Sequence, residues 1–356
     1  MEKYCILMGG RSTEHDASLL SYQGILKNQQ NVSSTKLLLT KVYYISRDGE
    51  FFLHDTCPFP LTEEELLQGE KLQISTFIEM LYKEPTYQLN LLHGNEGEDG
   101  SWQGLADILD LRGSYESVFA SSLTMNKWAQ SILAQSICQP DLLIPKTWKV
   151  GESDGNELLE QIILELAGKE CVIKPNTMGA SHFTDSYKEI SLEKFKEIKE
   201  NILKYDKQMI VQEFIKGIEY TVGCIRMNNE LIILPMIEAK TKRNFLGHTE
   251  KHQKGHIDIR VLSDKEDLFN QLKKITEKLF IGFELSVMCR FDFIVDSLGN
   301  IYFLEGNSIP GLMSGSAFTK MLDSSPFIFE DFLLYHIKSK EKKKQVKKKL
   351  VYSIEH

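Results

Sequence analysis

The stretch that most constrains the fold runs from Arg290 to Ser316, where two runs of aromatic and β-branched residues flank Ser297-Leu298-Gly299-Asn300. Such runs on either side of a glycine-containing turn predict a β-hairpin. With Asp296 opposite Ile301, counting back along both strands sets Asp292 opposite Glu305 and Arg290 opposite Asn307. Side chains alternate with period two, so these four share one face. The other face then carries Phe291, Phe293, Val295, Tyr302 and Leu304, a surface for a core. Directly opposed carboxylates lie roughly 5 Å apart at Cβ and repel unless a positive charge sits between them. Two carboxylates and an amide are hard oxygen donors that suit Mg²⁺ or Mn²⁺. The competing reading is an ion-pair cluster in which Arg290 simply neutralises Asp292. The Pro310-Gly311 turn that follows leaves backbone N–H groups to face an anion.

A hairpin of this kind needs a core behind it, and the chain can supply one. Its 356 residues, 42% of them hydrophobic, are enough for two or three globular domains. No apolar run reaches the roughly 20 residues that span a bilayer, and Tyr4–Met8 reads as a strand, not a signal segment, so a cytoplasmic protein is expected. Cys5, Cys57, Cys138, Cys171, Cys224 and Cys289 are scattered without a C-x-x-C pair, the pattern of buried thiols in a reducing compartment. A net charge of −8 speaks against nucleic acid as the partner, and the basic run Lys338–Lys349 reads as a solvated helix end or tail.

Along the chain, Tyr4–Met8 followed by Gly9-Gly10-Arg11-Ser12-Thr13-Glu14 forms a strand, a glycine turn and a helix start, with Ser12 or Thr13 as the cap. The glycine spacings of dinucleotide and P-loop motifs are absent. Val42–Ile45 and Phe51–Leu53 around Asp48-Gly49 predict a second hairpin. Leu89–Leu92 predicts a strand that runs into His93-Gly94 and Gly97-Glu98-Asp99-Gly100, the end at which open α/β sheets place ligands. Helices are expected over Trp102–Leu111, Ser122–Ser136 (carrying Lys127), Asn156–Leu166, Glu193–Leu203 and Pro326–Ile337. Strands are expected over Leu143–Val150, Glu170–Lys174 and Gln208–Ile215, and from Glu219 onward. Lys174, at the end of an apolar strand, either snorkels to solvent or touches a ligand. His248, His252 and His256 have the i, i+4 spacing of a zinc site on a helix, but flanking glycines and charges favour a mobile loop. Ser263-Asp264-Lys265-Glu266 has the form of a capping box before Leu268, Leu272, Ile275 and Leu279.

Taken in order and spacing, the first glycine motif, His93-Gly94, the Gly97–Gly100 loop, Met125-Asn126-Lys127, Ile173-Lys174-Pro175, Glu219, Arg290-x-Asp292, Glu305-x-Asn307 and Pro310-Gly311 resemble the D-alanine–D-alanine ligases of the ATP-grasp superfamily. The resemblance implies an α/β (α+β) chain. An N-terminal open parallel-sheet domain (1–126) precedes two domains (127–214 and 215–340) that clamp ATP, and a basic tail follows (341–356). It implies ATP and Mg²⁺ (or Mn²⁺) as cofactors, small amino or hydroxy acids as substrates, a homodimer, and a role in making peptidoglycan precursors.

By the same resemblance Asp292, Glu305 and Asn307 hold metal, and Arg290 neutralises charge on the transferring phosphoryl group and the oxyanion. Lys127, Lys174 and Lys251 contact phosphates, Glu219 the ribose, and Gln212 and Phe214 lie along the adenine. Glu14 takes the ammonium of the first substrate, His93 borders that site, Ser316 binds the carboxylate of the second substrate, and the Gly311 N–H completes the oxyanion site.

This chain departs from the family pattern in several places. Gly179-Ala180-Ser181-His182-Phe183 replaces Gly-Ser-Ser-x-Gly, so the serine that joins a triad with the N-terminal glutamate becomes Ala180. Gln212 and Asn126 stand where acids are common. His252 stands where tyrosine usually follows the loop lysine, as in depsipeptide ligases, and a partly protonated imidazole there favours an anionic hydroxy acid. Three readings follow: a ligase of two D-alanines, a dipeptide or depsipeptide ligase with an altered acceptor, and a nucleotide-binding protein that no longer catalyses.

Overall fold

The computed structural model describes residues 1–32, 36–55, 59–83, 86–241, 257–262 and 265–342. The described strands form three sheets. In the first, β1 (Glu2–Gly9) lies parallel to β2 (Leu37–Ile45) and β5 (Tyr87–Asn90), and β3 (Phe51–Asp55) and β4 (Glu70–Leu72) add an antiparallel edge. The hairpin expected around Gly49 joins β2 to β3. Tyr4, Ile6 and Met8 point into one apolar cluster and Cys5 and Leu7 into another, so β1 is buried on both faces, as a central parallel strand must be. The helix His15–Val32 covers one face. Its Gly24 abuts the loop that carries Leu312: a Cβ there would fall 2.5 Å from the Leu312 carbonyl oxygen, which only glycine tolerates.

The second sheet is antiparallel, ordered β6 (Thr147–Gly151), β9 (Gln208–Glu213), β7 (Cys171–Pro175) and β8 (Asp185–Tyr187). The helices Asn156–Leu166 and Leu192–Leu203 pack on it through Leu159, Ile162, Phe195 and Ile198. The expected strand at Leu143 starts later, at Thr147; Leu143 makes only an isolated bridge to Tyr302. The third sheet is also antiparallel: β13 (Ile257–Val261), β12 (Ile237–Thr241), β10 (Gly217–Met227), β14 (Met288–Asp296) and β15 (Ile301–Asn307), with β11 (Glu230–Ile233) beside β10. The helix Glu266–Gly282 covers this sheet's aromatic cluster. Its N-cap is Lys265, which makes no side-chain cap bond; Ser263 and Asp264 lie outside the described residues.

Two expectations are corrected. The helix expected across Ser122–Ser136 is two helices, Val118–Met125 and Lys127–Cys138. Asn126 ends the first in an extended conformation and caps the second, its Oδ1 accepting the Ala129 N–H at 2.9 Å. The last hairpin pairs Arg290 with Asn307 and Asp292 with Glu305 as expected, but near the turn it is Val295, not Asp296, that faces Ile301. A bulge between the two registers absorbs the extra residue. The core-facing set changes accordingly: Ile301 and Phe303 take the places expected of Tyr302 and Leu304 beside Phe291 and Phe293, and Leu304 turns with Glu305 toward a cleft. The closing helix expected over Pro326–Ile337 is present as Phe329–Lys342, preceded by a short helix, Ala317–Asp323.

Candidate active site

Two clefts meet over the last hairpin. One lies between the second and third sheets and is lined by Lys174, Gln212, Phe214, Glu219 and Asp292 among others. The second, about 520 Å³, lies between the first and third sheets and is lined by Glu14, His93, Arg290, Asn307, Gly311 and Ser316 among others. Lys127, Gly179 and Glu305 belong to both. Thirteen of the fifteen residues singled out from the sequence therefore converge on one continuous space. Lys251 and His252, with His248 and His256, lie outside the described residues.

Each group in that space is held by local structure. Arg290 grips Asp292 (Nη2 to Oδ2, 2.9 Å), and the Thr221 hydroxyl, paired across from β10, donates to Asp292 Oδ1 at 2.8 Å. Burial works against the guanidinium charge, but Asp292, Glu305 and Glu219 outweigh it and raise the Arg290 pKa further. Lys127 Nζ donates to the Met178 carbonyl at 2.6 Å and stands 3.7 Å from Glu305. Gln130, one turn along the same helix, accepts the Gly306 N–H at 2.7 Å and so pins the ligand strand to that helix.

The two hairpin carboxylates thus each face a cation of the protein, and the ion-pair reading is realised in this geometry. They also share one strand face at the junction of both clefts, and Asn307 Oδ1 keeps one lone pair beyond the Ile309 N–H it accepts at 3.0 Å. That is a hard-oxygen donor set, which fits a divalent cation bound with phosphates.

On the other side, Glu14 is buried against the tip of the 176–184 loop. A Cβ on Gly179 would lie 2.1 Å from Glu14 Oε1, so only glycine lets this backbone approach the carboxylate. Burial and the nearby Glu98 push Glu14 up to about 7, partly opposed by His93 and Lys127. Burial lowers the His93 pKa, yet the hydrogen bond and charge of Glu98, with the charge of Glu14, leave it raised. His93 Nε2 lies 3.2 Å from the Ser21 hydroxyl, which accepts the Leu312 N–H at 3.1 Å. Ser12 donates to the His93 carbonyl at 2.5 Å and accepts the Glu14 N–H at 3.1 Å, so it joins the two expected ligand loops. Ser316 caps the helix Ala317–Asp323 and donates to the Gly311 carbonyl at 2.7 Å. Gln212 donates to the Thr147 hydroxyl at 2.9 Å.

Sequence reasoning missed Ser21, Thr221 and Gln130, whose signal is purely tertiary, because each acts on residues at least 71 positions away. Glu98 lies in the loop that the sequence singled out, but its role toward His93 becomes visible only once the loop is folded.

The altered phosphate loop has an unusual backbone. Ala180, Ser181 and Phe183 have φ of 51°, 54° and 53°, left-handed values that cost a residue with a Cβ on the order of 1 kcal/mol each. Ser181 and Thr184 line the cleft between the second and third sheets, and Ala180 and His182 line the other. Phe183 lines neither and stacks on Tyr205, ring centroids 5.1 Å apart at 22°.

Comparison with known proteins gives a consistent result. The family profile described as D-ala D-ala ligase C-terminus matches residues 142–337, and that described as D-ala D-ala ligase N-terminus matches 3–114. The chain is 30% identical over 309 residues to a D-alanine–D-alanine ligase of Aquifex aeolicus, covering 86% of this chain and 90% of that one. It is 27% identical over 336 residues to D-alanine–D-alanine ligase B of Clostridium perfringens, covering 93% and 95%. The crystal structure of the VanG D-Ala:D-Ser ligase from Enterococcus faecalis superposes with a TM-score of 0.78 at 22% identity, covering 95% of this chain and 98% of that one, which shows a shared fold.

Proposed function

Because the chain belongs to the D-alanine–D-alanine ligase family and is an ATP-dependent ligase of ATP-grasp fold, we propose that it joins D-alanine to D-alanine through an acyl phosphate. The observation that carries this reading is the junction itself: the cleft between the second and third sheets and the cleft between the first and third share Lys127, Gly179 and Glu305, where a phosphoryl group would pass from one to the other. The proposal takes 1–126, 127–214 and 215–340 as the working units, which hold the first, second and third sheets, and 341–356 as the tail.

ATP lies in the first cleft, with the adenine along Gln212 and Phe214, the ribose at Glu219 and the phosphates at Lys174 and Lys127. Asp292, Glu305 and Asn307 are the residues that would hold Mg²⁺, which when bound supplies charge neutralisation for the phosphates. Glu14, ionised and beside His93, binds the ammonium of the first D-alanine and aims its carboxylate at the γ-phosphorus. An oxygen of that carboxylate forms the new P–O bond as the bond to ADP breaks. The amine of the second D-alanine, its carboxylate at Ser316, attacks the acyl carbon. Arg290 and the Gly311 N–H carry the developing oxyanion, and the C–O bond to phosphate then breaks. Where ATP, D-alanine and a reducing environment coexist is the cytoplasm, which we infer to be its compartment; among the described residues no helix is long and apolar enough to cross a membrane.

A second reading has a specific support. Ala180, one of the two loop positions at which the family pattern differs, lines the substrate cleft, which favours an altered substrate pocket. Mass spectrometry of the products from ATP, Mg²⁺ and D-alanine, alone and with D-serine or D-lactate, decides between them. D-alanyl-D-alanine with stoichiometric ADP supports the main reading, and product only with the other acceptor replaces it. ATP bound without any product leaves a nucleotide-binding protein that no longer catalyses.

A further inference from the structure

The loop 176–184 is the wall between the two clefts, and its side chains divide between them: Ser181 and Thr184 on one side, Ala180 and His182 on the other, Gly179 on both. Three of its residues hold left-handed backbone without being glycine. Such a conformation persists only where surrounding contacts over-determine it. Lys127 and Glu14 hold the first half of the loop, and two further contacts come from one neighbouring segment. Asp206 Oδ2 accepts the Thr177 N–H at 2.6 Å at the start of the loop, and Tyr205 stacks on Phe183 at its end. Within the loop, His182 N–H donates to the Gly179 carbonyl at 3.2 Å and Thr184 N–H to the Ser181 carbonyl at 3.1 Å, so the turn is closed on itself. Phe183 stands where glycine is the family's choice, and its ring is what the Tyr205 ring meets.

We propose that Phe183 and Tyr205 are positioning residues that latch this loop in its closed form before ATP arrives. A glycine at 183 would accept the same backbone freely but would offer no ring to hold it. The aromatic residue exchanges that freedom for an anchor 5.1 Å away on a residue that touches neither cleft. The loop is therefore pre-organised, and nucleotide binding does not have to order it. This inference rests on the ligase reading only for what fills the two clefts.

The test compares the full-length protein with Tyr205→Ala and Tyr205→Phe. Tyr205 is more than half exposed, so its truncation leaves the core intact. Hydrogen exchange of the peptide covering 176–184, without nucleotide, and the dissociation constant of ATP are read in each. Exchange is expected to rise about tenfold in Tyr205→Ala and ATP affinity to fall by about the same factor, with KM for ATP rising while kcat changes little. Tyr205→Phe keeps the ring and is expected to keep both values within about twofold. The proposal is overturned if the wild-type loop already exchanges as an unfolded chain does, or if Tyr205→Ala leaves exchange and ATP affinity unchanged. It is equally overturned if exchange rises throughout the molecule, which marks a merely structural residue. Failure to form D-alanyl-D-alanine would sink the ligase reading instead, since loop exchange and ATP affinity are read without turnover.

Discussion

Glu14 is a carboxyl group placed where ionisation is costly: buried, beside Glu98, and facing Gly179 with no room for water between. Raised to about 7 from the usual carboxylate range, it is protonated in the folded chain over a pH window where it would be ionised in the unfolded one. The folded state then binds more protons, so this group's stabilisation is complete below about pH 4.5 and is lost as pH rises through about 7, a loss of roughly 3 kcal/mol. The raised His93 acts with the same sign. Denaturant unfolding at pH 5 and pH 8 checks this, and Glu14→Gln should flatten the difference. Catalysis runs the other way, because only the carboxylate binds an ammonium. The value of kcat/KM for D-alanine should climb through about pH 7, and kcat should show its rise at lower pH because bound substrate stabilises the ionised form. Asp292 makes a second residue-scale case. Two opposed carboxylates taken alone would make Asp292→Asn stabilising, because it removes a like-charge pair. In the structure Arg290 and Thr221 both bond to that carboxylate. Removing its charge leaves a buried guanidinium poorly compensated, so the variant should lose about 2 kcal/mol of stability as well as most of its turnover, on the order of a thousandfold. An unfolding curve at or above the wild-type midpoint would contradict this.

At the scale of single elements, what was legible depended on whether the cause was local. The opposed pairs Asp292–Glu305 and Arg290–Asn307 could be counted from the sequence because alternation and turn chemistry are properties of a few residues. The bulge beside Leu304 could not, since it is selected by the core that Ile301 and Phe303 enter. The break at Asn126 was missed for a related reason. The apolar periodicity runs through it unbroken, and the helix is divided by tertiary partners: Asn176 accepts the Lys127 N–H through its carbonyl at 3.0 Å and the Trp128 N–H through Oδ1 at 2.9 Å. Together with the Asn126 cap, this satisfies the first amides of the helix that presents Lys127. Asn126→Ala should therefore cost about 1 kcal/mol, while Asn126→Asp keeps the cap, adds a favourable charge at a helix start and should gain about 0.5 kcal/mol. Thermal midpoints of the two variants, displaced in opposite directions, would establish the cap; a shift of the same sign in both would show that Asn126 matters for another reason.

For the whole molecule, the site exists because three sheets meet, and motifs spread from Glu14 to Ser316 become neighbours only then. The identity of the motifs was readable, because each is a short run of residues; the partition into two clefts with a common wall was not, because no local pattern encodes how one sheet leans on another. One contact reports on that arrangement directly. Glu116 lies in the segment that continues the first sheet's edge beside Gln88, and its carboxylate accepts the Ser286 N–H at 2.7 Å, the Ser286 hydroxyl at 2.8 Å and the Val287 N–H at 2.7 Å. Those residues lead straight into β14, which carries Arg290 and Asp292. Glu116 thus fixes the first sheet to the third and the width of the substrate cleft between them, while the nucleotide cleft lies between the second and third sheets. Glu116→Ala should lose about 2 kcal/mol of stability, since it leaves the Val287 amide buried without its acceptor. Its kinetic effect should be one-sided: KM for D-alanine rises severalfold and the dissociation constant of ATP stays within about twofold. Isothermal titration with ATP beside steady-state kinetics in D-alanine separates the two. If both constants moved together, the clefts would not be independently framed, and the third sheet would have to be regarded as shifting as one body against both of its neighbours.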